Sequence, residues 1–267
     1  MKDVFTLVKK DLKNSFGKKF FLLLGFLLLF QFWFIATSGS VKQVRESGEM
    51  FFMAVVFSFN FFGSVVALAL NYDGISADRE SKFMDLVLTS GISKRKAYFA
   101  KMGTGILTSF AFAILYSVGI MLVYLAFSGD LPLSMMALRY IGPITAFMVI
   151  FSTLGLALSV AMRSSKASLI ASILLGAFMM PRLFIMIVDG VNGLLGLSEA
   201  VLERIYMLSP ALILNALNGY SDSKTILWGL LLLAVYVIGS MVAGMRIFQR
   251  QDELNRSEER RVGKECR

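Results

Sequence analysis

Apolar runs about 20 residues long, set between short charged stretches, constrain this chain more than any other feature. A helix needs about 20 apolar residues to cross a hydrocarbon core of roughly 30 Å, and a water-soluble core has no use for such runs. The chain is 57% hydrophobic, and only 17% of its 267 residues are charged. Soluble domains carry about a quarter charged residues. The expected fold is all-α: a polytopic membrane protein, with an N-terminal amphipathic interfacial helix plus about six transmembrane helices.

The runs predict spans at about 20–36, 50–72, 98–127, 140–162, 167–188 and 226–248. The first is short, so Lys18 and Lys19 are expected to snorkel. Ahead of it, Phe5, Val8, Leu12 and Phe16 recur at helical spacing, with Lys10, Lys13 and Asn14 on the opposite face. That pattern suits a helix lying in the membrane interface. With the N-terminus inside, 21 of the 27 Lys and Arg residues fall in inner segments. The positive-inside bias therefore puts both termini in the cytoplasm, and a multi-pass plasma-membrane protein is expected. The same bias accounts for the net charge of +9, so no nucleic-acid partner is expected.

Residues 1–254 are expected to form the membrane domain. In its longest outer loop, 189–225, the apolar piece 211–217 is too short to span and suits a re-entrant or interfacial helix. Residues 255–267 are charged and have no apolar period. They read either as a disordered tail or as a segment not native to the gene.

Several function classes drop out. There is no histidine, and the single cysteine, Cys266, cannot form an internal disulfide. Ser-His and Cys-His hydrolases and HExxH metalloproteases are thereby disfavoured. Tyr72-Asp73 lacks the Gly-x-Gly-Asp partner of an intramembrane aspartyl protease, and two carboxylates must share a site for that chemistry. No GxxxxGK[ST] phosphate loop occurs: Gly17-Lys18 and Gly263-Lys264 lack both the upstream glycine and the following Ser/Thr. No catalytic residue, metal ligand or cofactor is expected in this chain.

The loop 73–101, between the second and third predicted spans, is the most informative stretch. Ser76–Leu88 is amphipathic, with Phe83, Met84, Val87 and Leu88 between Asp78, Arg79, Glu80 and Asp85. Ser76 is a candidate N-cap, and Gly91 can end the helix in the left-handed conformation. Lys94, Arg95, Lys96 and Lys101 follow at the membrane edge. On composition this is either a solvated interfacial loop or a short helix that docks in a partner's groove.

Asp78-Arg79-Glu80-Ser81, Asp85, Leu88, Ser90, Ile92-Ser93 and Lys101 resemble the inner-loop signature of type 2 ABC exporter permeases. That signature runs roughly E-R-E-x-G-T-L-E-x-L-L-x-[ST]-P-[IV]-S, with a lysine further on. The likeness covers about residues 1–254. The chain departs from the signature at Lys82-Phe83, where the family has Gly-Thr, and at Gly91, where it has Pro. The resemblance implies that Asp78, Arg79, Glu80, Asp85, Gly91, Ile92 and Ser93 couple the chain to a separate ABC ATPase subunit. ATP and Mg would be bound by that partner. It also implies a second permease copy or a paralogue, as homo- or heterodimer, within membrane lipid.

Arg182, after Met179-Met180-Pro181, is the one charge well inside an apolar run. Either it faces a pathway, or Pro181 ends the fifth span and Arg182 sits at the outer interface. Asn60 is a further polar residue within a span; it lines a pathway or bonds between helices. Small residues four apart at Ser168, Ser172 and Gly176, at Gly155 and Ser159, and at Ser240 and Gly244 permit close helix packing. A stand-alone secondary transporter or channel, or a non-transporting membrane subunit, is the alternative. The first two would typically use buried ionisable groups near the midplane, and these spans have almost none.

Overall fold

The structure is a computed structural model. It describes residues 2–37, 59–162, 164–178, 181–206, 208–209 and 223–265, with backbone alone beyond 250. Among these residues all regular structure is helical. The helices are α1 (Lys2–Ser15), α2 (Lys18–Thr37), α3 (Ser64–Asn71), α4 (Ser76–Glu80), α5 (Phe83–Thr89) and α6 (Lys94–Ser128). They continue as α7 (Leu131–Met135), α8 (Ile141–Ala161), α9 (Ser165–Phe178), α10 (Pro181–Leu195), α11 (Glu199–Tyr206) and α12 (Ser223–Glu265). A π-helical turn, Phe59–Gly63, leads into α3, and a 3-10 turn, Met136–Tyr140, leads into α8.

Three described stretches are long and apolar enough to cross a membrane: 94–128, 136–161 and 226–250. A fourth arises if Phe5–Ser15 and Lys18–Phe34, bent by 51°, count together. The third, fourth and sixth predicted spans thus coincide with long apolar helices. Of the second, residues 50–58 lie outside the described residues. Over the fifth, α9 is described to Phe178 and α10 from Pro181, and Met179 and Met180 between them lie outside the described residues. Proline at Pro181 has no N–H to donate, so one bond of the helical ladder is missing there. Past residue 254 the backbone of α12 continues as helix to Glu265.

The loop also differs from the single helix expected over 76–88. It divides into α4 and α5 at Lys82, whose φ of 56° is left-handed. Ser76 does not cap a helix. It is buried, and the amides of Ile75 and Ser76 both donate to Ser159 Oγ at 2.9 Å.

α8 is the hub of the bundle and packs on α3, α6 and α12. Its small residues allow this. A Cβ on Gly155 would stand 3.3 Å from the Leu68 carbonyl, and one on Gly176 of α9 would stand 2.9 Å from the Val65 Cα. Serine hydroxyls at these contacts tie helices together. Ser64 Oγ donates to Gly176 O at 2.8 Å, and Ser240 Oγ to Thr153 Oγ1 at 2.9 Å. Two apolar clusters result. One fills the bundle around Phe59, Phe112, Tyr116, Phe147 and Phe151. The other joins Leu7, Ile75, Met84, Val87, Tyr98, Val160 and Phe248, and so seats the loop on α1, α6, α8 and α12.

Candidate functional site

Charge converges beneath the loop on Lys101, about two turns into α6. Its Nζ stands 2.9 Å from Asp11 Oδ2 and also pairs with Asp78. The Lys101 and Asp11 side chains are only 8% and 9% exposed. Leu7 and Asp11, four apart on α1, are both buried, so this edge of the helix faces the protein while Phe5 stays 71% exposed. Burial pushes the Asp11 carboxyl above the usual carboxylate range, and the Lys101 charge opposes that rise. The group borders a polar cavity of about 390 Å³, into which Lys19 and Asp73, bonded at 2.8 Å, also project.

The next two residues of the loop reach the other way, to the turn between α8 and α9. Arg79 Nη1 donates to Val160 O at 2.8 Å, and its guanidinium lies 5.4 Å from the centre of the Phe248 ring. Glu80 accepts from the Ser165 amide at 2.9 Å and from the Ser165 hydroxyl at 2.5 Å. Those bonds, the hydroxyl first, hold the Glu80 carboxyl below its ordinary range although it is exposed.

Beyond Lys82 the loop turns outward. α5 buries Met84 and Val87 and exposes Asp85, Leu86 and Thr89, with Leu86 67% exposed. Lys10 Nζ stands 3.1 Å from the centre of the Phe83 ring, which ties α5 to α1. Gly91 ends the turn at φ 88°, as expected of a glycine there. Ile92 is partly buried against the lower cluster. Ser93 caps α6, its Oγ accepting from the Lys96 amide at 3.4 Å.

The sequence model of the ABC-2 family transporter proteins matches residues 5–253. The chain belongs to the ABC-2 transporter family. Among curated proteins no sequence matches it. The ABC-2 chain is accordingly a multi-pass membrane protein, the permease subunit of an ABC transporter.

One departure from the family's inner-loop signature falls on a special backbone position of the loop. The family glycine falls at Lys82, the non-glycine residue with positive φ. A glycine would adopt this backbone without the steric cost a lysine carries.

The structure divides the predicted site residues of the ABC-2 chain into two sets. Asp78, Arg79 and Glu80 are engaged within the chain, while Asp85, Gly91 and Ser93 lie at the exposed end of the loop. The side chains of Asn60 and Arg182 lie outside the described residues; Arg182 stands second in α10. Sequence reasoning missed Asp11, Ser159 and Ser165. Asp11 had a signal: it follows Leu7 by four on an otherwise lysine-rich helix. Ser159 showed only as a small packing residue and Ser165 had no signal, because both roles depend on where the loop lands. Among the described residues no His, Cys, Asp or Glu group is arranged to hold a metal ion.

Proposed function

We propose that this permease is the membrane half of an ATP-driven exporter. A separate ABC ATPase binds ATP and Mg and docks on the exposed end of the 73–101 loop. The observation that carries this is the contrast within the loop. Its base is bonded to α1, α6, α8 and α9, while Asp85, Leu86 and Thr89 project from α5, with Leu86 67% exposed among the described residues. An apolar residue ringed by polar ones on a braced short helix is what helix-in-groove docking needs. The chain itself would catalyse nothing.

The reading includes about six spans, α1 in the membrane interface, both termini in the cytoplasm and the plasma membrane as location. The lysines and arginines of the loop support that side as the inner one. A second permease copy or a paralogue completes the pathway. Few charges in the apolar runs favour a hydrophobic or amphipathic cargo.

The test is purification of the tagged chain from its native membrane in mild detergent, with mass spectrometry of what accompanies it. A near-stoichiometric ABC ATPase that is lost with Leu86→Asp and Asp85→Lys supports the reading. A chain that stays alone after cross-linking in the membrane refutes it.

A further inference from the structure

Arg79 and Glu80 are neighbours in sequence, carry opposite charge, and bond to opposite helix ends. Val160 O, which accepts from Arg79, is among the last carbonyls of α8, which ends at Ala161. The Ser165 amide, which donates to Glu80, belongs to the first residue of α9. The last carbonyls and first amides of a helix have no partners inside it, and they carry the partial negative and positive ends of the helix dipole. The cation therefore meets the negative end of α8 and the anion meets the positive end of α9. Reversing the two charges would set both against the field.

We propose that Arg79 and Glu80 form a polarity-matched clamp on the α8–α9 turn, so that movement of the loop is delivered to the ends of both helices. The clamp makes these two residues positioning residues for the transport cycle rather than docking residues. The inference rests on the permease reading above. Two further contacts hold the same joint. Ser159 Oγ takes the Ile75 and Ser76 amides, and Ser168 Oγ donates to Tyr72 O at 2.5 Å, so the clamp sits on a seam already bonded on both helices. Phe248 of α12 backs the guanidinium from the other side.

The experiment uses the full permease–ATPase complex in lipid nanodiscs, with Cys266→Ser so that introduced cysteines are the only ones. An environment-sensitive fluorophore, genetically encoded at Leu174, reports movement of α9, on which that side chain is 65% exposed. In Glu80→Cys/Ser165→Cys the complex should assemble at normal stoichiometry. Its ratio of switched to unswitched α9 at saturating ATP should fall about tenfold, the scale of one lost charge-assisted hydrogen bond. A short bifunctional thiol reagent joining residues 80 and 165 should restore the response, since the tether replaces the clamp. Glu80→Gln, which keeps the shape, should give a smaller loss in the same direction and carries the test if the double variant fails to fold. An unchanged response, loss of the ATPase with the variant, or no rescue by the tether each overturns the clamp. If the wild-type complex carries no ATPase or gives no ATP response, the permease reading itself fails, and the clamp with it.

Discussion

Lys101 and Asp11, from different helices, face each other at 2.9 Å with both side chains nearly dry, and Asp78 reaches the same ammonium from the loop. One cation thus serves two carboxylates. Lys101→Met leaves both uncompensated and should cost about 3–5 kcal/mol, as removal of one partner of a buried pair does. Asp11→Asn should cost under about 1 kcal/mol, because Asp78 still pairs with Lys101 and the burial that raises the Asp11 carboxyl no longer has a charge to penalise. Thermal unfolding in detergent, followed by fluorescence, reads the order. Equal losses would show that the lysine is not the centre of the group.

The left-handed turn at Lys82 predicts a stabilising substitution. A lysine at φ 56° carries a steric cost that glycine does not. Lys82→Gly should stabilise the loop by about 1 kcal/mol. Slower hydrogen exchange of the 83–89 amides is the measurement, and faster exchange would contradict the geometry.

Glu80 gives a pH dependence of fixed sign. Its carboxyl is held below the ordinary value of 4.5, first by the Ser165 hydroxyl and then by the Ser165 amide. A group with a lowered folded value contributes stability that is present above the unfolded value and is lost as pH falls through the folded one. Wild type should therefore exceed Glu80→Gln in thermal midpoint at neutral pH. The gap should close below about pH 4.5. Asp11, raised rather than lowered, works in the opposite direction: its contribution is present at low pH and lost as pH rises through the folded value. A pH series on Glu80→Gln against wild type isolates the first effect.

Two glycines should respond differently to the same change. A Cβ on Gly176 would lie 2.9 Å from the Val65 Cα, a backbone atom that cannot turn aside, whereas a Cβ on Gly193 meets nothing within 4 Å. Gly176→Ala should cost about 1–3 kcal/mol through forced separation of α9 from the Ser64 turn. Gly193→Ala, inside helix α10, should be neutral or stabilising by up to about 1 kcal/mol. The thermal midpoints of the two variants decide it.

The alternation of apolar runs and basic loops determined that the chain is all-helical and membrane-embedded, because span length and charge asymmetry are local properties set by the bilayer. The sequence also located the loop that matters, the stop at Gly91 and the small-residue spacings along α8, α9 and α12. Pro181 was visible in the fifth apolar run, and the sequence left open whether the span continued through it. What each charged residue of the loop does was decided only by the tertiary structure. Asp78, Arg79 and Glu80 read as one acidic-basic docking surface, yet they turn to α6, α8 and α9 because the left-handed residue at Lys82 divides the helix and redirects its first half. Their partners Lys101, Val160 and Ser165 lie well beyond helical spacing in the chain. A partner chosen by packing rather than by spacing leaves no periodic trace in sequence.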